Sequence, residues 1–361
     1  MPHPIPLGRP VRVGVLGLGQ VFELTSRAYD DCPDADIVAL CDADADRLAE
    51  RGRRFPAASL YTDVDAFLAH DLDVVEVLLP TPMHADIAEK VLRAGHHLAL
   101  QKPITHTLEE ADRLIALARE TGAVVRVMED QIFFPPLVAL KEEIDSGRIG
   151  APVGLHLKMV VTGLGGWDVK TDGWKWLLQQ AQGGKGIAVF DDGWHKFAIA
   201  LWLLGPVKRV MAWIGATDVG GGITFDAPTH VMWEHESGVR GILDITFAPA
   251  TFLRSDYYTG DERVEVTCER GFARVNHISA RGLALPALEV YCDGELRGDH
   301  KLPDSLHDGF VAGGHAFAHH LRTGEGEPSL TLEQAREVLA FLDAVYASSA
   351  RDAPVELSEI G

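Results

Sequence analysis

Cysteine, positive charge and long apolar runs are all scarce in this sequence of 361 residues. Its four cysteines are Cys32, Cys41, Cys268 and Cys292, and their scattered spacing favours reduced thiols and no metal site. The apolar run FAIALWLLG is far shorter than the roughly 20 residues that cross a bilayer. Prolines near the N-terminus interrupt the apolar core that a signal peptide needs. We therefore expect a cytoplasmic protein with no membrane segment.

The balance of charge is strongly acidic. Asp and Glu number 53 against 33 Lys and Arg, for a formal net charge of −20. Nucleic acids and anionic membrane surfaces need a basic footprint, so neither is an expected partner. Since single hydrophobic cores stop growing at roughly 250–300 residues, we expect two domains that act on a small molecule.

Short apolar runs alternate with segments of helical period in the first third. The runs are Val11–Leu16, Ile37–Cys41, Val74–Leu79, His97–Leu100 and Val124–Met128. This alternation predicts an α/β fold whose N-terminal Rossmann domain contains a doubly wound parallel sheet. Thr107 and Glu110 form a capping-box pattern before one helix, which Gly122 should end in a left-handed conformation.

After residue 136 the pattern changes to alternating strands, with ESG and ERG as hairpin turns. This predicts an α+β domain with a large, open and mostly antiparallel sheet. An amphipathic helix follows over Leu332–Ala350, and its register suggests that it packs back on the body. We expect a Rossmann domain at 1–130, a substrate and oligomerisation domain at 131–330, and a C-terminal helix and tail at 331–361.

A glycine-rich turn follows the first strand. Gly17 and Gly19 let backbone amides approach a pyrophosphate, and Asp42 ends the second strand where an acid would bind both hydroxyls of the adenosine ribose. Phe22 departs from the small residue of the usual fingerprint. The alternative is a tight turn with Asp42 as a helix cap. An acid here repels a 2′-phosphate, which predicts NAD as the cofactor.

Other residues around the dinucleotide follow from their positions at strand ends. In an open α/β sheet, ligands lie beyond the carboxyl ends of the strands. The expected cofactor-binding residues, besides the glycines and Asp42, are Gln20, Val21, Pro80, Thr81, His84, Gln101 and Lys102.

Several motifs together resemble the glucose–fructose oxidoreductase and inositol dehydrogenase family, Gfo/Idh/MocA. They are GLG, LPTPMHADIAEKVLRAGHHLALQKP, ALARETGAVVRV and GGKGIAVFDDGWHKFAIALWLLG. The resemblance covers nearly the whole chain and implies two domains, with a homo-oligomer, dimer or tetramer, formed through the open sheet. The family usually has Glu-Lys-Pro where this chain has Gln101-Lys102-Pro103. It implies that Lys102 lies between nicotinamide and substrate.

Asp191 and His195 match an Asp-x-x-x-His pair that points into the active site in that family. A spacing of four places both side chains on one helix face. An imidazole can accept the hydroxyl proton when an alcohol is oxidised, so His195 is the candidate base and Asp191 its orienting partner. Without the family resemblance, a histidine beside an apolar helix is more often a structural residue than a catalytic one.

Substrate contacts are expected from Lys102, Asp191 and His195, and three further residues are candidates. Asp130 and Ile132 occupy positions where the family commonly has Asn and then Arg, so a substrate contact through that arginine is not expected. Asp130 is about equally well explained as a buried turn acid. Trp167 and Trp174 lie in a loop that resembles the family's pocket lining, and indole faces stack on sugars. Their alternative role is to pack this loop or a subunit contact.

The motifs together predict an NAD-dependent oxidoreductase acting on a secondary hydroxyl of a sugar, glycoside or cyclitol. One alternative is redox-neutral glycoside cleavage through a transient keto-sugar, which uses the same residues. The other is a non-enzymatic dinucleotide-binding regulator.

Overall fold

The apolar runs of the first third form one parallel sheet. The computed structural model describes residues 5, 8–167, 171–220, 223–326 and 328–361. The strands are β1 (Val11–Leu16), β2 (Ala35–Cys41), β3 (Ser59–Tyr61), β4 (Val74–Val77), β5 (His97–Gln101) and β6 (Val125–Met128). Their order is β3-β2-β1-β4-β5-β6, and every pairing is parallel. The predicted Rossmann-type sheet is confirmed, and its order reverses between β1 and β4.

The sequence pattern did not predict β3, because this strand has only three residues and all of them are at least partly exposed. The helices between the strands are α1 (Phe22–Thr25), α2 (Ala45–Gly52), α3 (Val64–Leu68), α4 (His84–Arg93) and α5 (Leu108–Thr121). Both caps of α5 are confirmed, since Thr107 and Glu110 form a capping box and Gly122 has φ of 67°. Local side-chain chemistry therefore sets the ends of this helix.

A second sheet has nine strands and is mostly antiparallel, as predicted. Its strands are β7 (Pro152–Leu164), β8 (Val207–Ile214), β11 (Thr229–His235), β12 (Arg240–Phe252), β13 (Gly260–Cys268), β14 (Gly271–Val275), β15 (Leu288–Cys292), β16 (Glu295–Asp299) and β17 (Val355–Glu356); a separate ribbon pairs β9 (Thr217–Gly220) with β10 (Ile223–Phe225). The order is β16-β15-β14-β13-β7-β12-β11-β8-β17, and β7 and β12 form a parallel pair within it.

The remaining helices are α6 (Pro135–Asp145), α7 (Thr171–Gln182), α8 (Gly193–Leu204), α9 (Leu306–Thr323) and α10 (Leu332–Arg351). Helix α10 confirms the predicted C-terminal helix to within one residue at its end. In the part of the chain that the structure describes, no helix is long and apolar enough to cross a membrane.

The chain divides into two compact units. Unit 1 comprises residues 1–130 and 310–336, and unit 2 comprises residues 131–309 and 337–361. The core of unit 1 includes the buried valines of β1 and Phe22. In unit 2, Phe341 of α10 packs edge-on against Phe197 and Trp233, with ring centroids 4.7 and 5.5 Å away.

Candidate active site

The turn after β1 has the backbone geometry that a dinucleotide loop needs. Gly17 has φ of +94°, and a Cβ there would lie 2.7 Å from the carbonyl oxygen of Leu78. A side chain would therefore be both strained and obstructed. Nothing lies within 4 Å of a Cβ built on Gly19. Gly19, Gln20 and Val21 are partly exposed, so this stretch of backbone is accessible.

Phe22 explains the departure from the glycine-rich fingerprint. Its side chain is 2% exposed and packs edge-on against Phe55, with ring centroids 5.9 Å apart. Helix α1 is a single turn, and a 3-10 turn over Ser26–Tyr29 continues it. The residue at the third fingerprint position, Phe22, is therefore part of the hydrophobic core, while Gly17 and Gly19 keep the geometry of the loop.

Asp42 joins the glycine turn to the end of β2. Its Oδ2 accepts the backbone N–H of Leu18 at 2.8 Å, and its Oδ1 accepts that of Asp44 at 2.8 Å. Arg47 lies 3.3 Å from Oδ2. The N-cap of α2 is Asp44 and not Asp42, so the cap interpretation of Asp42 is wrong. A carboxylate has about four lone-pair sites, and acceptor capacity for ribose hydroxyls therefore remains.

His84 links two strand ends of the parallel sheet. Its imidazole is fully buried; Nδ1 lies 2.8 Å from the carbonyl oxygen of Pro103, and Nε2 lies 2.8 Å from that of Leu79. Burial lowers the pKa of His84. The ring therefore fills the space between the backbone after β4 and the backbone beside Lys102, and its single N–H donates to one of the two carbonyls. Of its neighbours, Pro80 is partly exposed and Thr81 is buried.

Gln101 is buried at the end of β5, with Lys102 partly exposed beside it. Gln101 Oε1 accepts the backbone N–H of Lys102 at 2.9 Å. Its Nε2 is buried and makes no hydrogen bond within the described residues. A glutamate could accept the same N–H, whereas only the amide presents this second donor. The departure from Glu-Lys-Pro thus replaces negative charge with a donor next to Lys102.

Asp130 lies in a buried charged cluster of unit 1. It is 2% exposed, and its Oδ1 lies 3.5 Å from Arg126 Nη1, which also donates to the carbonyl oxygen of Gly313 at 2.6 Å. Arg126 Nη2 lies 3.7 Å from Glu76 Oε1, which accepts from the Tyr29 hydroxyl. Burial raises the pKa of Asp130 to about 7, although Arg126 opposes the change. The sequence offered no signal for these partners.

A π-helical turn over Ile187–Asp192 precedes α8 and contains Asp191. The sequence predicted a helix, but nothing in its pattern distinguishes the π turn. Asp226 holds the start of this turn: its carboxylate oxygens accept the backbone N–H groups of Ala188 and Val189 at 2.7 and 2.8 Å. A Cβ on Gly186 would lie 1.9 Å from Asp226 Oδ2. Asp226 and Gly186 are therefore determinants of the site that sequence reasoning missed.

Asp191 lies in the π turn and His195 in the first turn of α8, and that both side chains share one face stays a prediction. Both are partly exposed, while Trp194 and Lys196 on the same helix are fully buried. Single π turns interrupt α-helices mainly at functional sites. The two candidate residues are thus accessible to a ligand beside neighbours that pack in the core.

Trp167 packs against a pair of tyrosines between β12 and β13. Its ring centroid lies 5.1 Å from that of Tyr257 and 5.3 Å from that of Tyr258, both in edge-on geometry. Tyr258 is exposed, and the carboxylates of Asp191 and Asp192 raise its pKa. Trp167 and Tyr258 thus lie in the neighbourhood of Asp191. The side chain of Trp174 lies outside the described residues, as does Asp168.

The candidate residues are divided between the two units. Lys102, the glycine turn and Asp42 belong to unit 1, whereas Asp191, His195 and Trp167 belong to unit 2. That Lys102 and His195 reach the same substrate oxygen stays a prediction. Among the described residues, no group of three or more His, Cys, Asp or Glu side chains could hold a metal ion.

Two domain matches and several relatives place this arrangement among known proteins. Residues 11–129 match the oxidoreductase family with an NAD-binding Rossmann fold, which identifies this region as an NAD-binding domain, and residues 137–274 match the GFO/IDH/MocA C-terminal domain. The chain is 30% identical to D-apiose dehydrogenase of Paraburkholderia graminis over 235 residues, which are 65% of this chain and 60% of that protein.

A second relative and a solved structure agree with these matches. The chain is 30% identical to D-glucoside 3-dehydrogenase of Escherichia coli over 209 residues, 56% of this chain and 57% of that protein. These alignments span about three fifths of the curated relatives. An Agrobacterium radiobacter oxidoreductase, solved with NAD+, L-tartaric acid and magnesium, superimposes with a TM-score of 0.83 at 21% identity, covering 97% of this chain and 99% of the other. The fold is therefore shared over nearly the whole length.

Proposed function

This chain belongs to the Gfo/Idh/MocA family of NAD-binding oxidoreductases, and on that premise we propose that it is an NAD-dependent dehydrogenase. Its substrate is a secondary hydroxyl of a sugar, glycoside or cyclitol. The observation that carries this proposal is the partial exposure of Asp191 and His195 next to the fully buried Trp194 and Lys196. Tyr258, which packs against Trp167, is electrostatically coupled to Asp191. The two relatives described above are named for the oxidation of sugar compounds.

The residues of unit 1 hold the cofactor. Backbone at Gly17 and Gly19 takes the pyrophosphate, and Asp42 accepts from the adenosine ribose while it keeps the glycine turn in place. The carboxylate opposes a 2′-phosphate, so NAD is favoured over NADP. When bound, the nicotinamide supplies the hydride acceptor.

The proposed catalytic residues act on the proton that the substrate hydroxyl loses when its carbon is oxidised. The imidazole of His195 would accept the proton of the substrate hydroxyl as its carbon is oxidised to a carbonyl, with bound NAD as the hydride acceptor. Lys102 hydrogen-bonds the same oxygen and stabilises the charge that develops there. Asp191 orients the ring or binds a neighbouring hydroxyl. Trp167 and Trp174 supply apolar surface to the sugar.

The decisive experiment is a screen of pyranoses, cyclitols and aryl glycosides with NAD, followed by NADH absorbance and product analysis. Stoichiometric NADH and a keto product are expected. Bond cleavage without accumulated NADH would instead indicate the redox-neutral route, and NAD binding without any turnover would indicate a regulator.

Variants then test the roles of the two central residues. His195→Ala should keep its fold and NAD affinity but lose about 10²–10⁴-fold in turnover. Lys102→Ala should lose turnover and substrate affinity together. A His195→Ala enzyme with near-parent activity on its substrate would contradict the mechanism.

We further propose a cytoplasmic homo-oligomer, a dimer or tetramer, that associates through the nine-stranded sheet. Trp213, Met232 and Ile242 are exposed on adjacent strands, and the pairing register places them on one face. Exposed apolar groups of this kind mark contact surfaces. Light scattering should show an oligomer that Met232→Lys weakens. Leu60→Lys, at an equally exposed apolar site on β3, should leave the mass unchanged.

A further inference from the structure

A single lysine stands among the glycines that join α7 to the π turn. The four residues after α7 are Gly183, Gly184, Lys185 and Gly186. Gly184 has φ of +89°. Glycine loses more conformational freedom on folding than any other residue, so this junction has little preference of its own for one conformation. The order of the junction therefore depends on side-chain contacts within unit 2.

The side chain of Lys185 makes three such contacts. Its Nζ donates to Asp343 Oδ1 at 2.5 Å. The same Nζ lies 4.9 Å from the ring centroid of Phe190 and 5.6 Å from that of Tyr346, and a cation over an aromatic face is attracted to it. Asp343 and Tyr346 are three residues apart on α10 and so share a face of that helix, whereas Phe190 belongs to the π turn. Lys185 thus ties the turn to α10.

Two other side chains hold backbone groups at the start of the π turn. The hydroxyl of Tyr346 accepts the N–H of Gly186 at 3.0 Å, and the carboxylate of Asp226 accepts two more N–H groups. The first N–H groups of a helix have no partner inside it, so these side chains satisfy them. Lys185 adds a contact further along the turn, at the ring of Phe190.

We propose that Lys185 is a positioning residue that fixes the π turn on α10 and thereby holds Asp191 where it meets the substrate. The proposal rests on the function proposed above for Asp191. Phe190 directly precedes Asp191 in the chain, so a shift of its ring would move the backbone that carries the carboxylate. Such placement matters because a displacement of about 1 Å can lower a rate by about 10²-fold.

The test compares Lys185→Met with the matched control Lys141→Met. Methionine keeps the apolar length of the side chain and removes its charge. Lys141 on α6 also lies 2.5 Å from a carboxylate, that of Asp145, and is 25% exposed against 21% for Lys185. Lys185→Met should lower kcat/KM for the substrate by about 10–100-fold and leave the Kd for NAD at its parent value. Lys141→Met should change neither, and Lys185→Arg, which keeps a cation, should recover most of the activity.

A double-mutant comparison separates the positioning of Asp191 from a general loosening of the fold. If Lys185 acts through Asp191, adding Lys185→Met to Asp191→Asn should lower kcat/KM by less than about twofold, because residues that act as a unit are not additive. The same loss in both backgrounds would show that Lys185 supports the fold and not Asp191.

Asp343→Asn provides a second variant if Lys185→Met does not fold. It removes the carboxylate but leaves the lysine over the two rings, so kcat/KM should fall in the same direction by a smaller factor. Parent kcat/KM in the folded variants overturns the proposal.

Amide hydrogen exchange makes the test independent of turnover. The N–H groups of Ala188 and Val189 should exchange faster in Lys185→Met, return toward the parent rate in Lys185→Arg and stay unchanged in Lys141→Met. If no sugar or cyclitol yields NADH with the parent protein, the proposed dehydrogenase function fails. Faster exchange then still supports the anchoring of the turn by Lys185, and unchanged exchange overturns it.

Discussion

The backbone N–H of Leu18 donates to Asp42 Oδ2 at 2.8 Å, so one carboxylate both holds the glycine turn and stands where the adenosine ribose is expected. Substitution of Asp42 should therefore affect affinity and selectivity together. Asp42→Ser should weaken NAD binding by about tenfold or more, since a hydrogen bond to a charged group contributes roughly 1.5–3 kcal/mol. The preference for NAD over NADP should shrink. Calorimetry with both dinucleotides measures the change.

A control for Asp42 is Asp63→Ser. Asp63 caps α3 by accepting the backbone N–H of Ala66 at 2.8 Å, and serine can keep that cap. This substitution removes the same charge from unit 1, but the ratio of the affinities for NAD and NADP should stay at its parent value. An Asp42→Ser protein with an unchanged ratio would show that Asp42 does not select the cofactor.

The imidazole of His84 should matter for turnover as well as for stability. The neutral ring of His84 has one N–H, so His84→Leu removes the donor from one of the two carbonyls, Leu79 or Pro103, which should cost about 1–3 kcal/mol of unfolding free energy. It also releases the backbone beside Lys102, so kcat should fall. Chemical denaturation and initial rates on the folded variant measure the two effects.

His96 provides a close match for that comparison. It is also buried, and its ring nitrogens lie 3.0 and 2.9 Å from the carbonyl oxygens of Leu72 and Leu68. His96→Leu should lose similar stability yet keep the parent kcat once folded. Equal losses of kcat in both variants would mean that His84 acts through general stability alone.

Asp130 should make the protein less stable as pH rises from about 4 to 7. Its folded pKa is raised to about 7, so the folded state binds a proton in this range that the unfolded chain has released. The slope is at most about 1.4 kcal/mol per pH unit. Asp130→Asn mimics the protonated acid and should flatten the dependence. Urea midpoints at pH 5, 6, 7 and 8 give the measurement.

Asp73 should behave in the opposite way and serves as the control. Hydrogen bonds from Arg9 and from the backbone of Arg12 lower its pKa despite partial burial. Its contribution is present at neutral pH and is lost as pH falls through the folded pKa. Asp73→Asn should therefore destabilise the protein most at neutral pH. If the unfolding free energy of Asp130→Asn depends on pH as steeply as that of the parent protein, Asp130 is not the group that holds the extra proton in the folded state.

Trp167 should control substrate affinity more than cofactor affinity. Trp167→Ala removes two edge-on contacts with tyrosines and the proposed sugar-stacking surface, so KM for the substrate should rise roughly fivefold, equivalent to about 1 kcal/mol. The affinity for NAD should stay constant. Trp176→Ala on α7, where the side chain is partly buried, should cost stability without this change in KM. Loss of folding in Trp167→Ala would favour a packing role.

Local sequence patterns predicted those features that depend on neighbouring residues. Apolar runs located five of the six parallel strands, and the Thr107–Glu110 capping box and Gly122 marked the ends of α5. A glycine at position 17 is required by a positive φ that the turn itself imposes. Such features are readable because backbone conformation and burial follow from residue type over a few positions.

Partners distant in the chain were decided only by the tertiary structure. Sequence motifs identified His84 and Asp130 as candidates, but not the carbonyls that His84 holds or the buried Arg126 beside Asp130. The cap that Asp226 places on the π turn and the Lys196–Glu262 pair join residues 37 or more positions apart. Burial strengthens each of these interactions because it removes competing water, and burial of polar groups depends on how separate elements pack. The sequence alone predicted which side chains should carry the chemistry, whereas packing determined which charged and polar groups surround them.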